Sequence, residues 1–202
     1  MVQTPTQQRD RVITLVHADP RKAFELAKDI RDPWFASQAL AWVGRFSPER
    51  DFKKAIAESV RIGRLQDDPY RVAASAAWPL NALLEREQFP QAEGTLMRAL
   101  STCEDISYPG SRAEATFLLF QASKPFDIAL WIPAFNELAC PSNTRLHWRQ
   151  KRCLRDALSM LRDGDINLMK KYAAEKAAVE LASDFLKTPG HPIGSPRPFF
   201  WA

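Results

Sequence analysis

The sequence predicts an all-α protein, built as an α-solenoid of about five antiparallel helix pairs (an α-α superhelix), with a compact helix bundle as the alternative. Three observations carry this. Apolar residues recur at helical spacing and no segment sustains strand alternation; prolines sit where helices begin; and the first half repeats itself at about 36 residues.

Fifteen prolines in 202 residues would argue against helix if they fell inside helices, where each removes a hydrogen bond and clashes with the preceding turn. Instead Pro20, Pro33, Pro48 and Pro69 follow Asp19, Asp32, Ser47 and Asp68, the order of an N-cap residue and a proline at the first helical position. Pro90, Pro109, Pro125 and Pro141 recur at similar spacing but follow Phe, Tyr, Lys and Cys, which cap poorly.

These marks and the periodicity between them predict helices over 6–17, 20–31, 33–46, 48–65, 69–86, 90–106, 109–123, 125–139, 142–163 and 165–187. Apolar faces follow, as in Ala23, Leu26, Ala27 and Ile30, then Phe52, Ile56 and Val60, then Ile128, Trp131, Ile132, Phe135 and Leu138. Pro79 and Pro133 fall within two of the helices and are expected to kink or split them. Gly164, between Asp163 and Asp165, reads as a stop followed by a new cap.

Domain organisation follows: a helical-repeat domain over 1–187 and a Pro-rich aromatic tail over 188–202. The repeat is visible as Asp32-Pro33 mapping onto Asp68-Pro69, with Ala36 onto Val72, Ala41 onto Ala77 and Trp42 onto Trp78. Small residues at Ala36, Ala39, Ala41, Ala73, Ala74, Ala76 and Ala77 let helices approach, with Trp42 and Trp78 filling the spaces between repeats.

The string Ala-Phe-Glu-Leu-Ala-Lys-Asp-Ile-Arg-Asp-Pro at 23–33, continuing into Ala39-Leu40-Ala41, resembles the helix B, Asp-Pro, helix A junction of tetratricopeptide repeats. Residues 51–69 resemble it again, and HEAT-like repeats are nearly as good a match. The sequence departs from the tetratricopeptide pattern in repeat length and in lacking the paired Gly and Tyr of the first helix. Either resemblance implies a right-handed stack of helix pairs that serves as a protein-binding scaffold.

Composition narrows the function classes. Hydrophobic residues at 46% and charged residues at 26% are those of a folded, water-soluble chain. No apolar run reaches the length of a membrane span and the start lacks the layout of an export signal, so no membrane partner is expected. Cys103, Cys140 and Cys153 are odd in number and far apart, which suggests neither a disulfide framework nor a zinc site and fits a reducing cytoplasm.

Catalytic constellations are missing as well. His17, His147 and His191 have no metal-ligand spacing, and seven glycines form no phosphate loop, dinucleotide fingerprint or nucleophile elbow. Asp67-Asp68-Pro69-Tyr70-Arg71 begins like an aspartate-rich magnesium motif but has Arg71 where a third carboxylate is needed, so Asp68 reads as a cap. Cys153 or Cys140 with His147 could form a thiolate pair only if folding joined them; buried cysteines are the plainer expectation. No cofactor is expected.

Charge points to a surface. The net +4 is concentrated in residues 142–176, where nine basic residues face four acidic ones. Helix 142–163 places Arg145, Arg149, Arg152, Arg155 and Arg162 opposite its apolar face of Leu146, Cys153, Leu154, Ala157, Met160 and Leu161. Trp148 falls among the arginines, either packed against a neighbouring helix under arginine stems or exposed as an anchor. The expectation is a partner-binding patch of Trp148, Arg145, Arg149, Arg152 and Arg155 for an acidic protein or peptide. Nucleic acid on the same helix is the alternative, and an enzyme on a helical scaffold the second alternative. In the tail, Phe199, Phe200 and Trp201 are expected to dock into an apolar groove, on this chain, another protein or a second copy.

Overall fold

A computed structural model describes residues 3–139 and 147–164. Among these, all regular structure is helical, which is compatible with a helical repeat. No described helix is long and apolar enough to cross a membrane. Residue contacts divide the chain into two compact units, 1–105 and 106–202. The expected helix 165–187, Cys140, Arg145 and the tail with Phe199, Phe200 and Trp201 lie outside the described residues.

The first unit holds α1 (Pro5–Leu15), α2 (Pro20–Lys28), α3 (Pro33–Phe46), α4 (Glu49–Gly63), α5 (Pro69–Ser75), α6 (Ala77–Glu85) and α7 (Phe89–Glu104). Caps explain most of the starts. Asp19 accepts the Lys22 amide at 3.0 Å, Asp32 that of Trp34 and Asp68 that of Tyr70, both at 2.9 Å. These two Asp-Pro junctions, 36 residues apart, therefore use the same atoms in the same way. Thr4 and Gln7 close a reciprocal capping box on α1.

Ser47 departs from its expected role. It ends α3 rather than starting α4: its hydroxyl donates back to the Val43 carbonyl at 2.6 Å, and α4 begins at Glu49 without a side-chain cap. The physical reason is that the last carbonyls of α3 also need donors, and the serine supplies one.

α3 lies at the centre, packed by α1, α2, α4 and α6. Its closest partner is α4, which it meets antiparallel, early α3 against late α4. Ser37 and Ser59 exchange hydrogen bonds, each hydroxyl donating to the other's carbonyl at 3.0 and 2.8 Å. At the other end a methyl group on Gly44 would sit 2.6 Å from Ile56 Cδ1, so a larger residue there would have to push the Ile56 side chain aside. The core beneath includes Val12, Val16, Ala23, Ala27, Ile30, Ala36, Leu40 and Val43, with Trp42 partly buried against it. Of the small residues expected to allow close packing, only Ala76 is not fully buried.

Pro79 produces the expected interruption. Its missing N–H deprives the Ser75 carbonyl of a helical donor, and one residue later, at Ala76, the long helix divides into α5 and α6. Pro133, by contrast, is accommodated inside one uninterrupted helix. At the end of α6, Glu87 takes φ 56°, with its own amide on Leu84 O and the Gln88 amide on Leu83 O. That is a Schellman turn with glutamate in the left-handed position.

The second unit contains α8 (Pro109–Ser123), α9 (Ile128–Ala139) and α10 (Trp148–Gly164), with α8 packed on both others. α9 starts three residues after Pro125, where Asp127 accepts the Ala129 amide. Phe120, Trp131 and Phe135 form an aromatic core with centroids 5.7 to 6.2 Å apart. Cys153, Leu154, Ala157 and Leu161 are buried, as the apolar face of the expected helix requires.

Candidate functional site: an exposed tryptophan among arginines

The candidate site forms where α10 starts beside the N-terminus of α8. His147 is not helical, which corrects the expectation of one helix over 142–163: it is the cap of a helix that starts at Trp148. Its carbonyl accepts the Lys151 amide, its ring Nδ1 accepts the Arg149 amide at 3.2 Å, and Gln150 Oε1 accepts the His147 amide at 2.7 Å. This is the reciprocal geometry of a capping box with an imidazole in place of a hydroxyl.

With Nδ1 accepting, the neutral ring carries its proton on Nε2, which donates to Tyr108 Oη at 2.8 Å. Gly110 makes room for this. A Cβ there would lie 2.9 Å from the Tyr108 ring, 3.0 Å from Arg149 Cδ and 3.0 Å from His147 Nδ1. Three groups converge on one missing methyl.

Trp148, at the first position of α10, is 57% exposed. Of its two expected settings, the structure has the exposed one. The Arg149 and Arg152 guanidinium carbons lie 5.3 and 5.2 Å from its ring centroid, within cation–π range. Arg149 also lies 5.9 Å from the Tyr108 ring.

Glu114 on α8 was missed by sequence reasoning. Arg152 Nη2 donates to its Oε1 at 2.6 Å, and Arg149 Nη1 lies 4.0 Å from its Oε2. The arginines around Trp148 are therefore not equivalent solvated charges. Arg152 is ion-paired and partly covered, Arg149 is half-buried, and Arg155 and Lys151 are exposed. Glu114 accepts from the Arg152 fork and only faces that of Arg149, while the Nε–H groups of both arginines are shielded from water and have no acceptor among the described residues. Four cations and one carboxylate give the patch a positive surplus around an apolar ring.

The remaining chemical candidates resolve as structural. Asp68 caps α5. Cys103 and Cys153 are buried thiols, and the His147 ring engages Tyr108 and the Arg149 amide. No group of three or more His, Cys, Asp or Glu able to hold a metal occurs among the described residues. Scans of protein-family models, of curated proteins and of solved structures find no match to this chain.

Proposed function

We propose that this chain is a non-catalytic helical-repeat module, tetratricopeptide-like or HEAT-like in its pairing of helices, that binds an acidic segment of another protein or peptide. The observation that carries the reading is Trp148, a large apolar ring held in water between two arginines. Burying such a ring against a partner releases water from apolar surface, and aromatic and arginine anchors of this kind dominate interface energetics. Arg149, Arg152 and Arg155 supply forks for carboxylates, with Arg145 the next basic residue along the chain. The two identical Asp-Pro caps, 36 residues apart, support the repeat.

A protein is favoured over nucleic acid because Glu114 stands inside the patch. A phosphate backbone approaching Arg152 would meet that carboxylate as well. A short acidic peptide can place its own carboxylate on Arg155 and its apolar residues on Trp148.

The test is a capture experiment from the native host with full-length protein, comparing wild type, Trp148→Ala and Arg155→Glu. A protein retained by wild type and lost by both variants, at unchanged melting temperature, is the expected result. Retention of the same partner by Trp148→Ala, or recovery of nucleic acid alone, would overturn the proposal.

A further inference from the structure

A second candidate site lies wholly within the first unit. α4 packs on α3 and α6, and α7 on α5 and α6, but α4 and α7 are not a closely packed pair. A cavity of about 450 Å³ lies between them, inside the range of about 300–1,000 Å³ common for small-molecule sites. Ala76 and Pro79 belong to its wall, so the break between α5 and α6 borders the cavity.

The wall has a definite chemistry. Ser37, Ser59, Ser75, Thr95 and Thr102 line it, and each hydroxyl proton is already given to a backbone carbonyl: Ser59 O, Ser37 O, Val72 O, Gln91 O and Arg98 O. The Ser37, Ser59 and Ser75 hydroxyls are sealed from solvent, and Ser75 Oγ also accepts from Gln66, so the oxygens within a ligand's reach are those of Thr95 and Thr102, which offer lone pairs. Cationic donors come from Arg64 and Arg98, which also line the cavity. Both are exposed, and neither is ion-paired among the described residues. Val60, Val72 and Ala99 complete the wall with apolar surface.

We propose that this cavity binds a small phosphate monoester carried on a polyhydroxylated body. Two unpaired guanidiniums match a phosphate monoester of charge about −1.5 to −2 at neutral pH better than a single carboxylate, and their planar forks suit phosphate oxygens. The Thr95 and Thr102 oxygens in the same wall are acceptors that suit a hydroxyl-bearing body. The phosphate sits at the arginines and the hydroxyls face the Thr95 and Thr102 oxygens.

Isothermal titration calorimetry of the full chain with ribose 5-phosphate, inorganic phosphate and ribose tests this. Ribose 5-phosphate should bind saturably, and more tightly than either fragment. Arg64→Ala and Arg98→Ala should each weaken it by about tenfold or more, with unchanged melting curves because both side chains are exposed. Trp148→Ala should bind ribose 5-phosphate as wild type does, which separates this site from the peptide patch. The proposal is overturned if ribose 5-phosphate gives no saturable heat at millimolar concentration, if either arginine variant binds it unchanged, or if ribose or inorganic phosphate binds as tightly.

Discussion

Trp34 and Tyr70 stack on one another, with ring centroids 6.3 Å apart and planes 21° from parallel. They lie 36 residues apart in the sequence, each following an Asp-Pro pair. Arg71 adds a second tie, donating from Nη2 to Asp32 Oδ1 at 3.0 Å while its guanidinium carbon lies 5.8 Å from the Trp34 ring. The cap of α3 thus also serves as the docking point for Arg71 of α5. Asp32→Ala should cost about 1 kcal/mol for the cap plus up to about 1 kcal/mol for the ion pair, and Asp68→Ala the cap term alone. Urea denaturation of both variants and of Arg71→Ala checks this; equal costs for the two aspartates would refute it.

Glu87 is held in the left-handed region that favours glycine. Replacing it with glycine keeps both turn hydrogen bonds and removes the Cβ strain, so Glu87→Gly should stabilise the protein by about 0.5–1 kcal/mol. A raised urea midpoint at unchanged slope would show it.

Gly110 has no such freedom to change. Gly110→Ala drives a methyl into Tyr108, His147 and Arg149 together, and should cost about 1–3 kcal/mol. Broadening or loss of the His147 ring signals in an NMR spectrum would report the disturbed cap directly.

Trp148→Ala should leave stability within about 1 kcal/mol of wild type, because the ring is mostly in water. Arg152→Glu should not be so mild, since it sets a second carboxylate against Glu114. Among the described residues Arg155 has no carboxylate partner for Arg155→Glu to repel. Thermal melts of the three variants should rank Arg152→Glu as the most destabilising.

Glu58 accepts from Arg61 Nε and Nη2 at 2.8 and 2.7 Å, and these hydrogen bonds hold its carboxyl below the usual glutamate range, with Lys28 and Lys54 contributing. A depressed folded value means the pair's contribution is present above the unfolded pKa and lost as pH falls through the folded one. Solvent screens the pair, so the effect on stability is small. A carboxyl-carbon NMR titration should find Glu58 titrating below the usual glutamate range, and Arg61→Ala should return it upward.

Helix positions were legible wherever the signal was local. Asp19, Asp32 and Asp68 cap as their neighbours suggest because a cap involves only the next few amides. Ser47 was misread because it lies between two helices and can serve either; only packing selects the Val43 carbonyl. His147 was illegible as a cap, since imidazole seldom plays that part and Gln150 is its only sequence clue. Glu114 lies 38 residues from Arg152, so no periodicity within the basic helix reveals that two of its arginines share a carboxylate. Trp148 was legible as an anomaly, and its exposure required the structure. The cavity between α4 and α7 was hidden for a different reason: it arises from two helices failing to meet, which no pattern along either one records.

The reciprocal Ser37–Ser59 link also bears on the order in which the chain assembles. Its ends are 22 residues apart, and α3 and α4 are joined by a two-residue connection, so their contacts form at little cost in loop closure. This hairpin is therefore expected to form early in the first unit, with α1, α2 and α6 then packing on α3. Amide protons of α3 should therefore be the last in that unit to exchange with deuterated water, because their release requires global opening.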